Sequence, residues 1–99
     1  MFVDKGGWVY ILQCNDCSYY TGSARNLKER VLQHQSMKGA NYTKKRLPVR
    51  LVFAKYFDRI DLAFAFEKKI QGWSHKKKQA LIRGRFDLLP ELSKNNQIE

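Results

Sequence analysis

The chain has 99 residues, enough for one domain around a single two-layer core and too few for a second. Nineteen Lys and Arg stand against nine Asp and Glu, a formal charge of +10 at pH 7. No run of eighteen apolar residues occurs, and the opening MFVDKGGW lacks the apolar stretch of a signal peptide, so the expectation is a cytoplasmic protein with no membrane partner. A surplus of cations on so small a domain is the footprint of a nucleic-acid binder, because Lys and Arg contacts to phosphates release condensed counterions. A ribosome-associated basic protein or a merely well-solvated surface has the same composition.

Trp8, Tyr10 and Leu12 alternate with Val9, Ile11 and Gln13, the pattern of a strand with two distinct faces. Cys14-Asn15-Asp16-Cys17 then predicts a hairpin with Asn15-Asp16 at its tip, since both residue types tolerate positive φ. Ser18 to Ser23 is the return strand, closed by Gly22. Asn26 with Glu29 three residues on is a capping-box-like start for a helix carrying Leu27, Arg30, Val31 and His34. Met37 to Leu47 reads as a basic, glycine-containing loop holding Tyr42 and the cations Lys38, Lys44, Lys45 and Arg46.

Pro48 favours an extended start to a third strand, Val49 to Phe57. Its alternation puts Val49, Leu51, Phe53, Lys55 and Phe57 on one face and Arg50, Val52, Ala54 and Tyr56 on the other. Apolar residues on both faces predict a central or helix-covered strand. Asp58 and Asp61 are candidate caps for a second helix, Asp61 to Trp73. Ser74 caps a third, His75 to Ile82, ended by Gly84. That helix opens with Lys76, Lys77 and Lys78, cations at the helix's positive end, which are either solvated or placed for phosphate. Residues 1–84 are expected to form the domain, and 85–99 a partly disordered tail whose Phe86, Leu88 and Leu89 tuck onto the core.

Cys14 and Cys17 have CxxC spacing, but a structural zinc site needs four ligands and His34 and His75 are isolated from each other. A redox CxxC usually opens a helix, whereas this one spans a turn. The two are read as turn flanks in a reducing compartment.

Glu67 is the most informative single residue. It falls in the stripe of Ile60, Ala63, Phe64, Ile70 and Trp73, where a carboxylate must be paired, hydrogen-bonded or metal-bound. Alternatively the helix is rotated so that Glu67 sits at the stripe's edge. Arg30 and His34, at i and i+4, project from one side of the first helix. Tyr10 and Tyr20 lie on adjacent strands, where their phenols can approach each other or simply pack.

Trp8-Val9-Tyr10, Tyr20-Thr21-Gly22, Arg30 ten residues after Tyr20, and the helical Glu67 together resemble the pattern of the GIY-YIG nuclease superfamily. The Gly39-Ala40-Asn41-Tyr42-Thr43 loop, the following strand and the glutamate helix resemble its small stand-alone bacterial branch, akin to the N-terminal domain of excision-repair incision subunits. The likeness covers about Gly7 to Gly84. One departure is Ser23, where several members carry lysine.

The resemblance implies an α+β fold, a three-stranded antiparallel sheet flanked by three helices. It further implies a divalent-metal-dependent DNA endonuclease or DNA repair protein. Glu67 would be the ligand of Mg²⁺ or Mn²⁺, Arg30 would stabilise developing charge on phosphate, Tyr20 would act on the attacking water, and Tyr10 would support it. His34 would assist proton transfer, and Gly22 would let the chain turn close to the substrate. Lys38, Tyr42, Lys44, Lys45, Arg46 and Lys76 to Lys78 are the expected nucleic-acid contacts. The partner is DNA, with branched or damaged forms as candidates and a protein partner to supply specificity. The rival readings are a catalytically silent nucleic-acid-binding module of the same fold and a small adaptor.

Overall fold

The structure is a computed structural model and describes residues 5–84. The proposed tail, with Phe86, Leu88 and Leu89, lies outside the described residues. Three strands, β1 (Gly7–Gln13), β2 (Tyr19–Ala24) and β3 (Arg50–Phe57), form one antiparallel sheet in the order β2-β1-β3. The helices are α1 (Leu27–Gln35), a single turn α2 (Asn41–Lys44), α3 (Ile60–Gln71) and α4 (His75–Ile82).

β1 is the central strand, and its alternation divides the molecule. Val9 and Ile11 enter one cluster with Ala63 and Ile70 of α3 and Leu81 of α4. Tyr10 and Leu12 enter another with Cys14 and Val49, covered by Leu27 and Val31 of α1. Val9, Ile11 and Leu12 are fully buried, each burial contributing roughly 1.5–3 kcal/mol. The sheet thus lies between α1 and α2 on one face and α3 and α4 on the other.

Four features depart from the sequence reading. β3 is an edge strand rather than a central one, but it is helix-covered, with Phe57 against Phe66 of α3, while Leu51 and Tyr56 are 41% and 45% exposed. Its strict alternation fails because the register with β1 shifts between Ile11 and Leu12, so the consecutive residues Val52 and Phe53 both pack on the Val9 cluster. Gly22 lies inside β2, which runs on to Ala24. In the hairpin the positive φ falls on Cys17, at 68°, because Cys17 N–H bonds the Cys14 carbonyl and Asp16 Oδ1 instead accepts from Ser18 N–H. Finally, the loop before Pro48 contains the turn α2.

Asn26 caps α1 by accepting from Glu29 N–H at 3.0 Å, and Ser74 caps α4 by accepting from Lys77 N–H at 3.2 Å. α3 has no side-chain cap: its N-cap residue is Arg59, and Asp61 sits in the first turn, where it pairs with Arg59 at 2.8 Å. The apolar stripe of α3 is also rotated from the expected one. Phe64 is 48% exposed while Phe66 packs on the core, and Glu67 is half-buried at the stripe's edge.

Candidate active site

Tyr10 and Gly22 are opposite each other in the β1–β2 ladder, and Tyr10 lies flat across the space Gly22 leaves. A Cβ at position 22 would stand 2.5 Å from the Tyr10 phenolic oxygen. The phenol bonds His34 Nε2 at 2.9 Å, and the Tyr20 ring lies 5.1 Å from the imidazole and 6.5 Å from the Tyr10 ring. Tyr10 is 1% exposed and His34 fully buried, whereas Tyr20 and Arg30 are half-buried. The open side of this group is therefore presented by Tyr20 and Arg30.

Sequence reasoning missed Thr43. Its hydroxyl has one proton, donated to the Ala40 carbonyl at 3.0 Å, so it accepts from His34 Nδ1–H at 2.8 Å. With Nδ1 protonated and the ring neutral, Nε2 is left as the acceptor for the Tyr10 hydroxyl. Gly39 permits this approach, since a Cβ there would fall 2.4 Å from His34 Nδ1. The signal available in sequence was the Gly39-Ala40-Asn41-Tyr42-Thr43 string, whose two small residues leave room for the imidazole.

Burial, and secondarily the Arg30 charge, push the His34 pKa down to about 4. Burial also pushes Tyr10 up to about 12, reinforced by the Tyr20 and Glu67 charges and opposed by a hydrogen bond and charge from Arg30. At neutral pH both rings are uncharged, a protonated phenol donating to an unprotonated nitrogen.

Glu67 approaches β2 from the opposite face of the sheet. Ser23 Oγ–H donates to its Oε1 at 2.5 Å, and Gln71 Nε2 donates to its Oε2 at 2.6 Å. Consecutive residues of one edge strand thus meet the two halves of the site, Gly22 under Tyr10 and Ser23 at Glu67. Ser23 is the second residue whose role the pattern alone did not show. A carboxylate offers about four acceptor positions, so two remain for an ion. Among the described residues no group of three or more His, Cys, Asp or Glu surrounds it. Such a lone hard-oxygen donor fits Mg²⁺ or Mn²⁺, which retain several waters, and does not fit zinc.

The expected nucleic-acid contacts divide. Tyr42 stands beside the site, 6.0 Å from the Tyr20 ring, and Lys38, Lys44 and Lys45 are exposed on the same α1–α2 side. Arg46 is engaged within the fold, stacked 3.8 Å over Tyr42 and paired with Asp16 at 3.0 Å. Lys76, Lys77 and Lys78 belong to α4 on the other face. Lys77 is buried with its ammonium 4.0 Å over the Trp73 ring, and burial lowers its pKa; Lys76 is exposed. His75 stacks on Tyr19, centroids 4.3 Å apart. Cys14 is buried and Cys17 exposed, and both are free thiols; burial raises the Cys14 pKa.

The small α+β sheet thus brings tyrosines, a helical Arg/His pair and a helical glutamate around one edge strand, the arrangement that the resemblance to a nuclease family implies. A family model described as the GIY-YIG catalytic domain matches residues 6–80, and the chain belongs to this nuclease family. A UPF0213 protein of Staphylococcus saprophyticus is 41% identical over 75 residues, covering 76% of this chain and 92% of the relative. One from Haloquadratum walsbyi is 38% identical over 81 residues, covering 82% and 91%. The solution NMR structure of a UPF0213 protein from Bacillus halodurans is similar with a TM-score of 0.53 at 38% identity, covering 79% of this chain and 83% of that one. Among the described residues no helix is long and apolar enough to cross a membrane.

Proposed function

We propose that the protein is a divalent-metal-dependent endonuclease that hydrolyses DNA phosphodiester bonds at the free edge of β2. The observation that carries this reading is the meeting at Gly22–Ser23 of the Tyr10–His34 pair, Tyr20 and Arg30 with the half-buried Glu67 carboxylate.

The half-buried Tyr20 phenol orients the attacking water, while the buried Tyr10, held by His34, fixes the ring arrangement behind it. Tyr10 cannot serve as a base at neutral pH with its pKa near 12, so its part is to donate and to position. Arg30 sets its guanidinium beside Tyr10, where negative charge develops on a phosphate undergoing attack. Glu67, oriented by Ser23 and Gln71, is the side chain that would hold Mg²⁺ or Mn²⁺. When bound, such an ion supplies Lewis-acid charge at the phosphate oxygens.

The test is cleavage of supercoiled plasmid, nicked duplex and branched DNA with Mg²⁺ or Mn²⁺ by the wild type, Glu67→Ala and Arg30→Ala. Each variant is expected to lose at least about a hundredfold in rate, the scale of removing a preorganised charge from a transition state. Variants that cut as fast as the wild type would sink this assignment of the site. The burial of Tyr10 and His34 favours one rival, a binding module that holds DNA without turnover. It predicts salt-steep binding, unchanged by Glu67→Ala, and no product.

A further inference from the structure

A second group of cations lies next to the site, outside the motif pattern. Two open clefts adjoin at Arg25. The first, about 560 Å³, is lined by Trp8, Arg25, Asn26, Leu27 and Lys28. The second, about 770 Å³, is lined by Lys5, Arg25, Arg59, Ile60 and Asp61. Four cations, Lys5, Arg25, Lys28 and Arg59, and one carboxylate, Asp61, line the two clefts, and Asp61 pairs with Arg59 at 2.8 Å. Trp8, Leu27 and Ile60 give the clefts an apolar floor, and all three are half-buried.

The clefts continue directly from the site. Trp8 pairs with Ala24 just as Tyr10 pairs with Gly22, so Trp8 lies on the same sheet face one pleat repeat away, about 7 Å along β1. Leu27 precedes Arg30 by one turn of α1. A chain of phosphates with one member at Arg30 is therefore led past Lys28 and Arg25 toward Lys5 and Arg59.

We propose that the clefts meeting at Arg25 are the track for the DNA strand flanking the bond placed at Tyr20 and Arg30. Resting on the nuclease reading above, the proposal gives the polyanion a path across the Trp8 end of the sheet. The lysines of α4 lie on the opposite face, and Lys77 there is buried against Trp73.

The test is binding of fluorescein-labelled DNA by the full chain in EDTA, which separates binding from turnover. Arg25→Glu/Lys28→Glu is compared with Lys69→Glu/Lys76→Glu, an equal change of net charge on exposed positions of α3 and α4. Losing two phosphate contacts should lower the slope of log K against log salt by about 2 and weaken binding on the order of tenfold. The α3–α4 pair should change the slope by less than half that. Lys5→Glu/Lys28→Glu repeats the measurement without touching Arg25, should that substitution disturb the fold. Equal losses from both surfaces would overturn the track even if Glu67→Ala abolishes cleavage. A selective loss at Arg25 and Lys28 in a protein that cuts nothing would uphold the track and overturn the enzyme.

Discussion

His34 makes the stability of this fold pH-sensitive in a way that can be worked out in advance. The ring is fully buried between Tyr10 and Thr43, and its pKa falls from 6.5 to about 4. Because the folded-state value is the lower one, protonation favours the unfolded chain. The stability held by the neutral ring is fully present above the unfolded value and is lost as pH falls from about 6.5 toward 4. The full difference corresponds to about 3 kcal/mol, and the portion lost between pH 7 and pH 5 to about 2 kcal/mol. Against a total of about 5–15 kcal/mol for an ordinary domain, that is a large fraction. Urea titrations of the wild type and His34→Gln at pH 7, 6 and 5 should show it. Glutamine can accept from Tyr10 and donate to Thr43 but does not titrate, and subtracting its curve removes the carboxylates and the exposed His75. A difference curve flat to within 0.5 kcal/mol, or a His34 ring proton titrating near pH 6.5, would refute the reasoning.

Two other side chains make comparably direct predictions. Thr43→Val keeps the shape but leaves His34 Nδ1–H buried without its acceptor, so it should cost about 1–3 kcal/mol in urea titrations. The ¹⁵N shifts of the imidazole should then show loss of the single Nδ1–H tautomer. Ser23→Ala removes the donor to Glu67 Oε1 and should weaken Mn²⁺ binding, measured by calorimetry, by about tenfold while the thermal melt moves little. Unchanged Mn²⁺ affinity would mean that Ser23 does not orient the carboxylate.

Local periodicity disclosed most of the elements. The two faces of β1, the start of α1 at Asn26 and the start of α4 at Ser74 were readable because each depends on a few adjacent residues. What periodicity cannot carry is which strand ends up in the middle. Val49 to Phe57 is as apolar as a central strand, yet β1 takes that place and β3 becomes an edge. The rotation of α3, one of two orientations the sequence allowed, was undecided for a similar reason. Phe64 and Phe66 are equally apolar, and only packing against Phe57 and the Val9 cluster selects Phe66. In the candidate site, Glu67 stood out as a carboxylate in an apolar stripe, whereas Tyr10, Tyr20, Arg30 and His34 were singled out as a site only by the family resemblance. Thr43 and Ser23 were not, because a hydroxyl in a loop or strand looks ordinary until its partner is known.

The position of β2 at the edge gives the two missed residues their meaning. Tyr10 and Glu67 lie on opposite faces of the sheet, so a phosphate at the proposed site would meet both groups only around a strand with no neighbour on its far side. Among the described residues β2 meets that condition, and it must also be thin where the ring crosses it. Gly22 satisfies this, since any side chain would occupy the place of the Tyr10 phenol. Ser23, pointing the other way, then anchors the carboxylate at the same level of the strand. Each half also carries its own support, the buried Thr43 behind His34 and the exposed Gln71 beside Glu67. The geometry therefore depends on two short hydrogen-bonded chains meeting at two adjacent residues. Perturbing the Glu67 chain should alter the site with little cost to the sheet, whereas the Tyr10–His34–Thr43 chain is itself part of the buried core.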